Sequence, residues 1–317
     1  MKLPQQIAPM LAVSAPPFDS PDYFFEVKWD GLRCLSFLAT TTRLQSRNLR
    51  NISFQYPELS AIHQQIRKAG AVLDGEIIVL EGGKPSFLRL QSRMHATSGQ
   101  SIKYGMTANP VLYIVFDLLY SEGQSIIHLP LYQRRELLNS LLIPAQHIII
   151  SEALPEQGRA LYSQIAALGL EGIIGKEKNS PYLPGKRSPT WKKSRITKSA
   201  NFVICGYTTN PQGREDLSAL VIGAYTDHAL LSYGLVGTGF SQAEINHLLT
   251  LFSPSITNSS PLTLPLKLSL GQVQWLDPRL VCEVEYLEVT NDHHLRHPLY
   301  KGLRDLAPEE CRSEKIK

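Results

Sequence analysis

Lys28 lies in the run Phe25-Glu-Val-Lys-Trp-Asp-Gly-Leu-Arg33, where an apolar strand carries an amine to its end, Asp30-Gly31 turns the chain, and Arg33 begins the returning strand. Further along stand Ser46-Arg47-Asn48, Leu73-Asp74-Gly75-Glu76-Ile77, Val115-Phe116-Asp117 and Glu171-Gly-Ile-Ile-Gly-Lys176, followed by Arg187 and Lys193 on either side of Trp191. These are the residue types of phosphoryl chemistry: cations that can face phosphate, and carboxylates that can face hydroxyls or a hard metal ion. Each also has a plainer reading. Lys28 alone is an exposed lysine beside a backbone-driven turn, Phe116 a core aromatic, and Arg33, Arg47 and Arg187 surface charges. Glu76 alone is a turn carboxylate, and Glu171 caps a strand end. Only their joint order and spacing argue for one site.

The elements that must position these residues alternate along the first two thirds of the chain. Strands are expected at Phe24–Lys28, Arg33–Ala39, Val72–Leu80, Val111–Leu119 and His147–Ile150, from their aromatic and β-branched content. Helices are expected at Pro57–Ala69, Tyr132–Leu142 and Glu156–Leu168, each with its aliphatic residues on one face. Long strands with helices packed outside read as an α+β domain. From Asn201 short strands take over: Phe202–Tyr207, Leu217–Tyr225, Ala229–Val236, Val273–Trp275 and Leu280–Thr290, with a helix at Gln242–Phe252 and a loop at Ser253–Pro265. Five strands and one helix match a small closed barrel such as an OB-fold. The boundary is expected within Ser194–Ala200, dividing the chain into 1–198 and 199–317.

The 317 residues are 43% hydrophobic and 19% charged, an ordinary globular composition. No apolar run reaches the roughly 18 residues of a membrane helix, and the N-terminal stretch lacks the form of a secretory signal. Four widely spaced cysteines, at 34, 205, 282 and 311, form no CxxC pair, which argues against a disulfide framework or a structural zinc site. Residues 1–198 hold 23 Lys and Arg against 15 Asp and Glu, a charge of +8, whereas the remainder carries −4. A basic first part beside a mildly acidic second part suits a polyanionic partner engaged mainly by the first.

Taken as an array, these motifs resemble the covalent nucleotidyltransferases, and most closely the ATP-dependent DNA ligases. Ala8-Pro-Met-Leu-Ala12, Ser180-Pro-Tyr-Leu-Pro-Gly-Lys-Arg187 and Leu295-Arg-His-Pro298 are similar to the ligase module of bacterial end-joining ligases, and the resemblance runs from Ile7 to Cys311. It implies a nucleotidyltransferase domain of ATP-grasp-like antiparallel sheets with flanking helices, followed by an all-β OB-fold domain. It also implies that Lys28 is the nucleophile that takes AMP from ATP. Splitting ligation this way turns the 5′-phosphate into a substrate with a good leaving group. Deprotonating a free lysine at pH 7 costs about 4–5 kcal/mol, a cost that desolvation and nearby cations reduce. By the same resemblance Glu26 and the backbone of Val27 read adenine, Phe116 stacks on it, and Glu76 holds the ribose. Arg33 and Arg47 grip AMP and the nick phosphate, while Arg187 and Lys193 close on the α-phosphate. Glu171, with Glu76 and Asp30, is expected to serve Mg²⁺ or Mn²⁺.

Two departures from the family pattern stand out. The second lysine of the Lys-x-Lys signature is Arg195, and the closing Arg-x-Asp-Lys pattern reads Arg304-Asp305-Leu306-Ala307. Leu306 and Ala307 cannot donate to a phosphate, so slower self-adenylation is expected unless a neighbouring cation compensates. Two alternatives remain open at this point: an RNA ligase or capping-type enzyme, and a catalytically impaired DNA-binding module. The leading expectation is a minimal two-domain, monomeric ligase without polymerase or nuclease modules. It would work in the cytoplasm on the bacterial nucleoid, on nicks or ends of duplex DNA, with a Ku-like end-binding protein as a further partner.

Overall fold

The computed structural model describes residues 3–209, 217–263, 273–290 and 292–316. The chain divides into two compact units, Met1–Ile196 and Thr197–Lys317. In the first, β1 (Leu11–Ser14) and β2 (Ser20–Val27) are followed by β3 (Leu32–Leu38), β4 (Thr42–Ser46), β5 (Ala71–Glu81) and the two-residue β6 (Lys84–Pro85). Then come α1 (Phe87–Met94), α2 (Gly99–Ala108), β7 (Val111–Ser121), the short β8 (Gln124–Ser125) and α3 (Leu131–Leu141). The unit closes with β9 (Ile148–Ile150), β10 (Leu154–Glu156), α4 (Gly158–Ala167), β11 (Gly172–Glu177) and β12 (Arg187–Arg195).

These strands form two sheets. One has the order β1-β12-β11-β2-β10; the other runs β4-β3-β5-β7-β8, with β6 on β5 and β9 on β7. Pairing is antiparallel except for β1 with β12 and β7 with β9. The central strands β5 and β7 are buried along most of their length because both of their faces are covered, and their aliphatic runs are interrupted by Asp74 and Glu76 on β5 and Asp117 on β7. On one side, Leu73, Ile77, Tyr113 and Val115 pack with Leu59, Leu90 and Leu138 of the helical layer. On the other, Leu35, Phe37, Val72 and Phe116 meet Met10, Tyr182 and Trp191, so the two sheets lie face to face. The outer face of the first sheet packs on α4 through Phe25, Leu161, Ile165 and Ile173.

The expected helix at Pro57–Ala69 is not formed. The chain makes two 3-10 turns, Pro57–Leu59 and Ile62–Gln65, and then extends. Its backbone bonds elsewhere: Arg67 N–H donates to the Leu141 carbonyl, Ile143 N–H donates to the Gln65 carbonyl, and Ile66 bridges to Leu142. Leu59, Ile62 and Ile66 are still buried, so the apolar spacing was legible and the backbone bonding was not. Two helices were missed, α1 and α2, although each carries a serine N-cap, Ser86 and Ser98, that accepts a bond from the backbone N–H three residues on.

In the second unit β13 (Lys198–Thr209), β14 (Leu217–Tyr225) and β15 (Leu230–Val236) precede α5 (Gln242–Phe252). They are followed by β16 (Ile256–Thr257), β17 (Val273–Leu276), β18 (Val281–Tyr286) and β19 (Leu299–Arg304). The long β13 pairs with β14, β17 and β18, as befits the bent strand of an OB-fold. The loop expected at Ser253–Pro265 holds a 3-10 turn and β16, and its last two residues lie outside the described ones. Leu306 packs against the cluster of Val203, Cys205, Val221 and Val281, so this departure from the family pattern serves the core of its unit. All four cysteines are free and buried.

Candidate active site

A cleft of about 200 Å³ in the first unit is lined from both sheets. Alternation along the strands explains which side chains enter it. On β12, Trp191, Lys193 and Arg195 line the cleft, while Lys192 turns to the other face, over the rings of Phe18 and Tyr23. On β11 Ile174 and Lys176 face the cleft, and Ile173 faces α4. Pairing then sets Ile174 between Glu26 and Lys193 and puts Lys176 beside Trp191. From the second sheet Arg33 and Glu76 are direct cross-strand partners, and Phe116 comes from β7.

Two glycines allow this geometry. A Cβ on Gly31 would stand 2.3 Å from the Ile77 carbonyl oxygen and 2.8 Å from Glu76 Cγ, so the turn after Lys28 lies directly against β5. Gly172, at φ +144°, has the Ser194 carbonyl oxygen 2.2 Å from where a Cβ would sit. That approach seats Glu171 beside β12. The Lys28 amide bonds the Gly172 carbonyl at 2.8 Å, which brings the lysine next to Glu171.

At the heart of the cleft Lys28 Nζ meets Glu171 Oε2 at 2.5 Å, and Arg195 Nε donates to Oε1 of the same carboxylate at 3.2 Å. Arg33 is held edge-on by Asp74, with Nε and Nη2 each 2.6 Å from a carboxylate oxygen, and its Cζ lies over the Phe116 ring, 4.5 Å from the centroid. Burial disfavours this guanidinium charge, but Asp74 outweighs it and holds the group well above its ordinary value. Asp74 also accepts from Tyr182 Oη at 2.7 Å. Burial pushes the Glu76 carboxyl up to about 8; Arg33 and Lys28 oppose this, while Glu171 and Asp74 add to it. Burial, Arg195, Arg187 and Lys28 draw the Lys193 ammonium down to about 8. Arg187 reaches across to the Ala12 carbonyl at 2.6 Å, and Arg47 stands exposed at the rim.

Of the expected residues, Glu26, Val27, Lys28, Arg33, Arg47, Glu76, Phe116, Arg187 and Lys193 all line the cleft. The Val27 side chain packs toward α4, which leaves its backbone for the cleft. Glu171 joins through Lys28, whereas Asp30, on the turn that follows, is not part of the cleft wall. Among the described residues no group of three or more His, Cys, Asp or Glu is preassembled around a metal position. Sequence reasoning missed Lys176, Trp29 and Trp191 as wall residues, and Asp74 as the partner of Arg33. Strand alternation from Lys193 would have found Trp191. Nothing local to Asp74 announces its partner 41 positions away. Asp117 is a support: Arg134 takes both its oxygens at 2.8 Å.

Fold and cleft together define a nucleotidyltransferase domain followed by an OB-fold domain. Residues 9–195 match the family described as ATP dependent DNA ligase domain, and residues 213–306 match the ATP dependent DNA ligase C terminal region. The chain belongs to the ATP-dependent DNA ligase family. It is 34% identical over 315 residues to the multifunctional non-homologous end joining protein LigD of Mycolicibacterium smegmatis, covering 97% of this chain and 40% of that protein. It is also 34% identical to LigD of Pseudomonas aeruginosa over 316 residues, covering 96% of this chain and 36% of the relative. The chain thus spans about two fifths of the length of these relatives. Among solved structures it resembles the ligase domain of M. tuberculosis LigD at 31% identity and a TM-score of 0.54, covering 97% of this chain and 98% of that one. A mycobacterial DNA ligase D complexed with ATP and MES matches at 31% identity, a TM-score of 0.56 and the same coverage.

Proposed function

We propose that this chain is an ATP-dependent DNA ligase that seals breaks in duplex DNA through an AMP group carried on Lys28. The carrying observation is that Lys28 shares one cleft with the aromatic rings of Phe116 and Trp191 and with the cations Lys176, Arg187, Lys193 and Arg195. Adenine would lie against Phe116 with its edge toward Glu26, and the ribose hydroxyls would reach Glu76. The phosphates would meet the β12 cations, which stabilise developing charge by position rather than by covalent work.

In the first step the Lys28 amine forms a P–N bond to the α-phosphorus, and pyrophosphate leaves with the electrons of the α–β bridge. Lys28 must shed a proton to do this, and Glu171 is the acceptor within hydrogen-bond distance. In the second step a 5′-phosphate oxygen of DNA takes the AMP and frees the lysine. In the third, the 3′-hydroxyl attacks the activated phosphorus and AMP departs.

The donor chemistry fits a divalent cation. Glu171 and Glu76 are hard oxygen donors, and Glu171 helps push the Glu76 carboxyl up, a repulsion that Mg²⁺ or Mn²⁺ would relieve. Bound there, the ion would screen phosphate charge. Asp30 would act on the turn and not as a direct ligand.

End joining, a Ku-like partner and work as a monomer on the nucleoid are further parts of this reading, supported by the likeness to LigD proteins. The test is incubation with radiolabelled ATP or GTP, followed by a denaturing gel and a nick-sealing assay. An AMP adduct that Lys28→Ala abolishes, while duplex DNA binding persists, is expected. A GMP adduct, or an AMP adduct retained by the variant, overturns the assignment.

A further inference from the structure

Arg135 lies on α3, behind the cleft wall, with a tenth of its side chain exposed. Its Nη1 donates to Glu26 Oε1 at 2.8 Å and to the Phe116 carbonyl at 3.3 Å, and its Nη2 donates to the Ser151 carbonyl at 2.7 Å. One planar fork therefore joins β2, β7 and the segment after β9, a geometry that a lysine could not reproduce. Glu26 has a second cation. Lys176 Nζ lies 3.0 Å from Oε1 and 3.1 Å from Oε2, and it sits inside the cleft, 4.0 Å from the Phe116 ring centroid.

The two cations do different things to one carboxylate. Lys176 straddles both oxygens, so by itself it leaves the carboxylate free to turn. Arg135 takes Oε1 from behind, which makes Oε2 the oxygen available to a donor in the cleft. A carboxylate only accepts hydrogen bonds, and the 6-amino group of adenine is a donor. The same guanidinium holds the carbonyl of Phe116, whose ring would cover the base. Edge reader and face cover are thus tied into one unit by a residue that does not itself line the cleft.

We propose that Arg135 is a positioning residue for the nucleobase, fixing Glu26 and Phe116 so that the cleft selects a purine bearing a 6-amino group. This rests on the ligase reading above. It is tested by comparing ATP with purine riboside triphosphate, which lacks the 6-amino group, in the self-adenylation step. Arg135→Met keeps the apolar stem and removes the fork. It should raise KM for ATP by roughly tenfold or more, the weight of a charge-assisted hydrogen bond, with kcat little changed. KM for the purine analogue should stay near the wild-type value, so that the preference for ATP collapses. Equal losses for both nucleotides, or no loss for either, overturn the proposal, because a scaffold role would not distinguish them. Should thermal melting show Arg135→Met unfolded, Arg135→Lys serves instead: it keeps the charge without the fork, and retained selectivity there overturns the proposal. A wild-type protein that forms no adduct with ATP would sink the ligase reading itself.

Discussion

Lys193 and Glu76 both titrate near pH 8, for opposite reasons of charge. Burial and neighbouring cations lower the lysine to about 8, so it is charged below that pH and neutral above it. Burial raises the glutamic acid to about 8, so it is neutral below and anionic above. As pH rises through 8 Glu76 becomes the carboxylate that its ribose and cation roles require, while Lys193 loses the charge that faces phosphate. The kcat/KM for ATP, which reports the free enzyme, should therefore rise on the acid side and fall on the alkaline side of a maximum near pH 8. Glu76→Gln should flatten the acid limb and Lys193→Arg the alkaline limb, measured as adduct formation against pH; unaltered limbs in both variants would assign the titrations elsewhere. Asp74 makes a second prediction at this scale. It is fully buried and pairs with Arg33 through two 2.6 Å bonds, so Asp74→Asn leaves a guanidinium without its counter-charge. Urea unfolding should show a loss of about 3 kcal/mol, near the low end for a broken buried pair because Arg33 keeps some solvent contact.

The turn from β2 into β3 works through the absence of a side chain. At Gly31 a Cβ would press on a backbone oxygen of β5, which cannot rotate away. Gly31→Ala should therefore cost about 1–3 kcal/mol and displace Lys28 relative to Glu76, so that adenylation falls further than stability does. A thermal melt set beside the adduct rate would separate the two effects, and a variant with unchanged rate would show that the turn tolerates movement. Strands such as β3, β5, β7, β14 and β15 were legible because apolar and β-branched patterning reports burial directly. By contrast β1, β4, β10, β11, β12 and β19, each short or rich in charged, Gly or Pro residues, were not expected. The backbone of segment 57–66 was not legible, because aliphatic spacing records which residues are buried and says nothing about which carbonyls its N–H groups will find. There, residues 141–143 supplied the partners that a helix would have supplied internally.

The net positive charge of the chain lies in its first 198 residues, +8 against −4 for the rest. Duplex binding should be dominated by phosphate contacts from the first unit and should weaken steeply with salt. About five contacts imply an affinity loss on the order of 10²–10³ between 50 and 200 mM salt. Fluorescence anisotropy with nicked duplex, on the full chain and on residues 197–317 alone, checks this. A second unit that matched the full chain's affinity and salt slope would show that net charge misplaces the contact surface.

Lys28, Glu76, Phe116, Glu171, Arg187 and Lys193 were singled out in the linear chain because the order and spacing of their motifs resemble those of the covalent nucleotidyltransferases; composition and periodicity alone left each as an ordinary charge or core ring. The two-part division was expected from the change in charge near residue 198, a local property; the accompanying expectation of short strands did not hold for β13, which runs twelve residues. Convergence is not local. Arg135 meets Glu26 across 109 positions, Lys176 meets it across 150, and Tyr182 meets Asp74 across 108. Each of these side chains, read in its own neighbourhood, is an unremarkable charge or ring. Only the packing of two sheets face to face, with α3 behind one of them, brings them within hydrogen-bond reach, where exclusion of water makes one partner rather than another decisive.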